Sequence, residues 1–427
     1  MDRLTILALA LLPAAATAAD WPRFRGPTGD GIAAATADPP LTWSETEHVA
    51  WKTAVPGRGR SSPVVLGDRV FLTTAAERGI VRTRIGSDDM QTAEHVAIGT
   101  VCLDRATGAI LWHVTHREID HPDPVHWLSS WATPTPVAEA GRVWCDFGTF
   151  GTWCLDAKTG QALWEKRLPL DHQVGPGSSP ALAGNRLILV RDGRDVQYVT
   201  ALDAATGEAA WKTDRPPLKA PHGNMKKCFS TPLPIQVAGR AQVVSVGAHW
   251  IVSYDPATGQ ERWRANHGMG FSIGTVPVFG HGKVFFGTGC FKPALLAVRP
   301  DGSGDVTATH IAWRTQKGVP VMSSPVLAGG DLYWVSDDGM VTCADPETGE
   351  ARWQERLGGE HLASPVLAAG RLYFWGKEGK TTVVKPGSAF AKLAENRIDG
   401  AITATPAVVD RSIFLRTDTH LYRIEAR

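Results

Sequence analysis

The sequence predicts an all-β chain folded as an eight-bladed β-propeller, closed by an N-terminal strand that completes the C-terminal blade. Three observations predict it. A short unit with the core Asp-x-x-Thr-Gly-x-x-x-Trp recurs along the chain. A Ser/Thr-Pro motif, followed by apolar residues and Gly, precedes each copy. A solitary repeat ending, Val49-Ala50-Trp51-Lys52, stands before the first of those motifs. Four short strands repeated every ~40 to 50 residues are the period of a propeller blade.

The N-terminus reads as a secretory signal over residues 1–19: Arg3, the apolar run from Leu4 to Leu12, and the small residues Ala16-Thr17-Ala18. That run is too short to cross a bilayer. Residues 20–48 form an N-terminal extension and residues 49–427 the propeller. No Cys precedes Cys102, and no later apolar segment is long enough to span, so neither a lipid anchor nor a membrane span is expected. The mature chain is expected to be periplasmic or secreted.

The repeat units follow in order. Asp104, Asp156, Asp203, Asp255 and Asp345 lead the clear copies, and a degenerate copy runs from Ala297 to Trp313. The motif prolines are Pro63, Pro134, Pro180, Pro232, Pro277, Pro325, Pro365 and Pro406, which makes eight units. After each Pro an apolar strand reaches a Gly-Asp turn, a second strand follows, the third carries Leu-Asp, and Thr-Gly turns into the fourth, which ends on Trp. Asp and Thr hydrogen-bond the turn, Gly supplies positive φ, and Trp offers a large rigid face for a neighbouring blade. The last unit supplies three strands, and Val49–Lys52 supplies the fourth, removing an open edge. The unit from Thr381 to Leu393 lacks both Asp-x-x-Thr-Gly and Trp, so a count of seven follows if it is not a blade.

Composition excludes some classes. Lys plus Arg number 44 against 43 for Asp plus Glu, and no basic run points to nucleic acid. The six Cys lie in a chain large enough not to need disulfides. Cys145 and Cys154 face each other if the intervening run turns at Thr149-Phe150, and Cys228 and Cys290 fall in loops on one face; pairing is left open for both.

The Ala/Cys-Leu-Asp-x-x-Thr-Gly-x-x-x-Trp units resemble the repeats of pyrroloquinoline-quinone (PQQ) propellers, over nearly the whole mature chain. That superfamily includes quinoprotein dehydrogenases and the propeller lipoprotein of the outer-membrane barrel-assembly machinery. Trp21-Pro-Arg-Phe-Arg-Gly-Pro27, Ser61-Ser-Pro-Val-Val65, Asp195-Val-Gln-Tyr198 and Arg416-Thr-Asp-Thr-His-Leu-Tyr422 are similar to a functionally unassigned bacterial branch. The resemblance implies PQQ as a candidate cofactor. Its dehydrogenase landmarks, two adjacent Cys and a Glu, Asn and Asp set around calcium, are not found in this sequence.

Propeller topology places the loops before each Ser/Thr-Pro motif and those after each second strand on one variable face, where function usually resides. That face carries Arg58, Arg60, His126, Trp127, Trp131, His172, Arg191, Asp192, Arg194, Asp195, Lys226, Lys227, His267 and His361. Cations, imidazoles and aromatic rings together suit an anionic or sugar-like ligand; ordinary solvated loop charges are the competing reading. Within the insertion, His116, Asp120, His121, Asp123 and His126 are candidate metal ligands, although their spacing matches no established signature. No nucleophile elbow, phosphate loop or zinc-protease helix is present. The expected function is a non-catalytic binding or scaffolding propeller of the cell envelope, its partner a small molecule, glycan or envelope protein. The alternatives are a PQQ- or metal-dependent oxidoreductase acting on an alcohol or sugar, and a carbohydrate-acting propeller of lyase type.

Overall fold

The computed structural model describes residues 20–426, so the signal-peptide reading of residues 1–19 falls outside it. Among the described residues, seven sheets of four strands and one of five follow one another in chain order, with a separate sheet of three strands. The closing sheet contains β1 (Val49–Ala54), which pairs antiparallel with His420–Glu425 from Val49 opposite Ile424 to Ala54 opposite His420. The N-terminal strand therefore completes the C-terminal sheet as the sequence predicts. The unit lacking Asp-x-x-Thr-Gly also forms a sheet, with strands Val366–Ala368, Arg371–Trp375, Lys380–Val384 and Lys392–Arg397.

The repeat works as a clasp between neighbouring sheets. In the turns led by Asp104, Asp156, Asp203 and Asp255 the Asp accepts from the backbone two and three residues on; Asp104 Oδ1 accepts from Ala106 N (3.0 Å), Thr107 N (2.7 Å) and Thr107 Oγ1 (2.8 Å). The Trp ending one sheet then donates its indole N–H to the carbonyl just after the Asp of the next sheet. Trp51 reaches Arg105 O at 3.1 Å, Trp112 reaches Ala157 O at 3.3 Å, Trp164 reaches Ala204 O at 3.1 Å and Trp211 reaches Pro256 O at 3.0 Å. Trp263 departs from the pattern and donates to Gln242 Oε1 in its own sheet (2.9 Å), because the following unit lacks the Asp turn.

The Ser/Thr-Pro motif forms a second belt nearer the axis. Backbone N–H groups donate to the hydroxyl of the next motif: Ser62 to Thr135 (2.9 Å), Thr135 to Ser179 (2.9 Å), Ser179 to Thr231 (3.0 Å), Val276 to Ser324 (2.9 Å), Ser324 to Ser364 (3.0 Å) and Ser364 to Thr405 (2.9 Å). Val276 has no hydroxyl, which interrupts the belt after Thr231. The belt also corrects one motif assignment: the second inner strand, Val137–Glu139, follows Thr135-Pro136, so Pro136 rather than Pro134 occupies the repeat position.

Two segments lie outside the ring of sheets. Residues 20–43 run along the ends of the inner strands: Trp21 pairs with Val65, Pro22 O accepts from Ala138 N at 2.8 Å, and Ala33 N donates to Leu367 O at 2.8 Å. An insertion in the first sheet, between β3 (Arg69–Arg78) and β6 (His95–Asp104), carries the hairpin β4 (Val81–Ile85) and β5 (Asp88–Thr92). After β7 (Ile110–Asp120), β8 (Val125–His126) pairs with β5 to complete the small third-party sheet.

All six Cys are free thiols. Cys145 lies opposite Trp153 and Cys154 opposite Trp144, because the hairpin is centred on Thr149 alone. The one-residue difference sends the two sulfurs to opposite faces of their sheet. Cys228 is buried and donates to Val246 O at 3.1 Å, whereas Cys290 is exposed.

Candidate functional site

The inner ends of the sheets enclose a chamber of about 600 Å³. Belt residues such as Ser62, Thr135 and Ser364 line it, as does Phe24 of the N-terminal segment. Ser87 and Asp88 at the β4–β5 turn, with His126 of β8 and Leu128 after it, also line the chamber. Arg60, Lys227, Asp337 and Cys290 complete the polar lining.

Among the described residues, the cations of this region form no direct ion pair with a carboxylate. Arg60 donates from Nε to Ser129 O (3.1 Å) and from Nη2 to Trp127 O (3.0 Å), which ties the insertion to the first inner strand. Burial lowers its pKa to about 10. Arg416 is buried beside it and donates from Nη1 to Ser61 O (3.1 Å) and Thr73 O (3.0 Å); burial and the nearby Arg60 charge lower it to about 9. Lys227 donates to Gln173 Oε1, and Gln173 Nε2 donates to Asp88 Oδ2 at 3.0 Å, so one amide latches the hairpin tip to the blades. Burial lowers Lys227 to about 8. Asp337 accepts from Val321 N (3.0 Å) and Met322 N (3.2 Å), and its burial holds the carboxyl above the usual carboxylate range.

Of the residues predicted for the variable face, Arg60, His126 and Lys227 line the chamber. Trp127 lies at its edge, with Arg82 at 5.2 Å and Lys377 at 4.7 Å from its ring. His172, Arg194 and Asp195 fall instead in a second groove of about 490 Å³, where Arg194 pairs with Asp171. Burial drives His172 down to about 3. The remaining residues serve the scaffold. Arg191 pairs with Asp146 of the preceding sheet at 2.7 Å, both buried, and Asp192 pairs within its own sheet with Arg215 at 2.8 Å, from where Arg215 also donates to Ser245 O of the next sheet at 3.1 Å. Trp131 is buried and donates to Asp123 O at 3.0 Å. His267 is buried against Gly247 O at 2.9 Å, and His361 is buried with Nε2 3.2 Å from Gly358 O. Arg58 is exposed, 4.0 Å from Glu77, and Lys226 ends a short helical turn outside the chamber.

The five candidate metal ligands are not brought together; among the described residues no three His, Cys, Asp or Glu side chains form a metal-binding group. His116 stacks on Trp153 at 5.0 Å and bonds Thr100, Asp120 pairs with His95 at 2.8 Å, and His121 is exposed at a positive-φ corner. The local backbone explains the dispersal: His116 is the extra residue of a bulge in β7 opposite Ile98 and Gly99, which breaks its alternation with Asp120, while His126 follows the two prolines that carry the chain to β8.

Asp88, Gln173 and Asp337 were missed by sequence reasoning because nothing in their local pattern marks them, and Arg416 stood within the Arg416–Tyr422 stretch without being read as a site residue. Phe24 was visible within Trp21–Pro27, but only the folded chain gives it a place in the lining of the chamber.

Comparison with known proteins follows the same outline. The profile of the family described as outer membrane protein assembly factor BamB matches residues 97–355 and 247–427. A quinohemoprotein alcohol dehydrogenase, ADH-IIG of Pseudomonas putida, is 26% identical over 235 residues, covering 47% of this chain and 31% of that enzyme. The chain thus spans about a third of that relative's length. BamB from Moraxella catarrhalis superposes with a TM-score of 0.59 at 15% identity, over 88% of this chain and 96% of that one. A europium-containing methanol dehydrogenase superposes with a TM-score of 0.60 at 11% identity, over 94% and 88%. At these identities the superpositions establish the fold alone.

Proposed function

Because the chain belongs to the PQQ-like repeat propellers, in the family described as outer membrane protein assembly factor BamB, we propose that it is a non-catalytic binding propeller of the cell envelope whose central chamber takes a small organic anion. One observation carries the ligand class: among the described residues neither Arg60 nor Lys227 forms a direct ion pair with a carboxylate. Arg191 and Arg215, deeper in the sheets, each have one. Arg60 and Lys227 bond only neutral groups. Lys227 is buried and reaches Asp88 only through the Gln173 amide, so its burial is incompletely offset, and a bound carboxylate supplies the direct partner. The non-catalytic part of the reading rests on Arg191, Asp192, His267 and His361, which are engaged in bracing contacts rather than converging on one point. Envelope placement rests on the family's description; among the described residues no helix is long and apolar enough to cross a membrane.

Titration calorimetry of the mature chain with succinate, citrate and a neutral disaccharide tests the ligand class. Saturable binding of the carboxylates is expected, and Lys227→Met should weaken it at least tenfold. Binding of the disaccharide alone, or unchanged carboxylate binding by the variant, would overturn the reading.

The dehydrogenase relative favours a second reading, a quinone-dependent oxidoreductase. Arg60 and Lys227 suit the carboxylates of PQQ. The pair of adjacent Cys expected beside that cofactor does not fit, since no two of the six Cys are neighbours in the sequence and all six are free thiols. Incubation with PQQ and calcium chloride, followed by dye-linked oxidation of ethanol or glucose, separates the two. No turnover is expected; sustained turnover would replace the binding reading.

A further inference from the structure

The insertion carries a feature that the chamber does not use. β4 lies at the edge of the small sheet, with β5 on one side and no strand on the other. It is the one strand of five or more residues, among those described, in which every residue is exposed. Val81 and Ile85 are 58% and 47% exposed. Its register against β5 runs without a bulge from Val81 opposite Thr92 to Ile85 opposite Asp88. Natural edges are blunted by Pro, a bulge, a covering loop or charged side chains; β4 carries only the last of these, Arg82 and Arg84, whose charge selects an acidic strand rather than closing the edge to every strand.

The hairpin geometry fixes which backbone groups are free. A two-residue turn, Gly86-Ser87, joins β4 to β5, so Ile85 and Asp88 flank it as a hydrogen-bonded pair. Pairing alternates along the ladder, so Val81, Thr83 and Ile85 bond β5. The N–H and C=O groups of Arg82 and Arg84 then point to the open side. Neither arginine forms an ion pair within 4.0 Å among the described residues. Arg82 lies over the Trp127 ring at 5.2 Å. One face of the edge is thus cationic, and the other presents Val81, Thr83 and Ile85.

We propose that β4 is a docking edge for an extended segment of a partner protein, added as a further strand, with acidic residues on the Arg82 and Arg84 face and apolar residues on the Val81 and Ile85 face. Main-chain bonds supply the affinity and the period-two alternation of side chains supplies the selectivity. This inference stands apart from the chamber: its partner is a polypeptide, and Arg60 and Lys227 take no part.

The test uses the mature chain and two fluorescein-labelled synthetic octapeptides, one alternating Val with Glu and one alternating Val with Lys, read by fluorescence anisotropy at low salt. The Glu peptide should bind at least tenfold tighter than the Lys peptide and protect the amides of residues 82 and 84 from hydrogen exchange. Arg84→Pro should weaken binding at least tenfold further than Arg84→Ala, since both lose the charge but only Pro loses the N–H facing the edge. The double variant Arg82→Glu, Arg84→Glu should reverse the preference between peptides. Thermal melting of each variant checks that the propeller sheets are intact. Equal affinity of the Ala and Pro variants, protection outside β4, absence of binding, or self-association of the chain through β4 seen by light scattering would each overturn the proposal.

Discussion

At Gly160 two demands fall on one residue. Its φ is +74°, and a Cβ there would lie 2.8 Å from the Trp112 ring that clasps this turn. Gly67 has a φ of +58° with nothing within 4 Å, so it isolates the backbone cost. We expect Gly67→Ala to lose about 1 kcal/mol of stability and Gly160→Ala about 1–2 kcal/mol more, read as midpoint shifts in urea. Equal losses would show that the Trp clasp does not need the close approach. Protonation offers a second test at this scale. Burial lowers His267 to about 4 from an ordinary 6.5. The unfolded chain therefore takes up its proton first as pH falls, and stability declines between about pH 6.5 and 4. His267→Gln should flatten that decline in denaturant titrations at stepped pH; an unchanged slope would remove His267 as its source.

Among the elements, β1 bears on the whole ring. Trp51 lies in the strand that pairs with the C-terminus, and its indole also reaches Arg105 in the first sheet. Trp51→Ala should cost about 3 kcal/mol and lower the melting temperature by several degrees. The same substitution at Trp263, which bonds within its own sheet, should cost as much in burial without loosening a junction. Hydrogen exchange near Arg105 should rise only in the first variant. The belt makes an opposite prediction. Val276→Thr would restore the missing hydroxyl next to Thr231 and raise stability by about 1 kcal/mol; a loss in denaturant midpoint would show that the site has no room for it.

At the scale of the molecule, the chamber depends on segments far apart in sequence. Lys227, lowered to about 8 by burial, carries the pH signature of that assembly. Between about pH 8 and its unfolded value near 10.5, the unfolded chain binds more protons than the folded one, so stability rises with pH in that window. Wild type should gain on Lys227→Met across it by up to about 3 kcal/mol, while carboxylate binding falls as the amine loses its charge. If both proteins show the same pH dependence, Lys227 is not the buried cation of the chamber.

The repeat made the fold legible because each of its residues acts locally or on the adjacent unit. Asp104 and Thr107 close their own turn, Trp112 reaches the next one, and Ser62 and Thr135 stand at equivalent places in successive units. The N-terminal closing strand was legible for the same reason, as a repeat ending without a beginning. The chamber was not. Arg60, His126 and Lys227 reach it, while Arg191, Asp192, His267 and His361 from the same loops turn into ion pairs and backbone bonds. Loop sequence carries no period that tells those directions apart. Asp88 and Gln173 meet Lys227 only because the insertion folds back over the ring, and Phe24 arrives from the other end of the chain. Sequence alone therefore determined the scaffold, through short-range bonds repeated from unit to unit. The tertiary structure decided which charges remain unpaired, since that depends on contacts between segments with no regular separation.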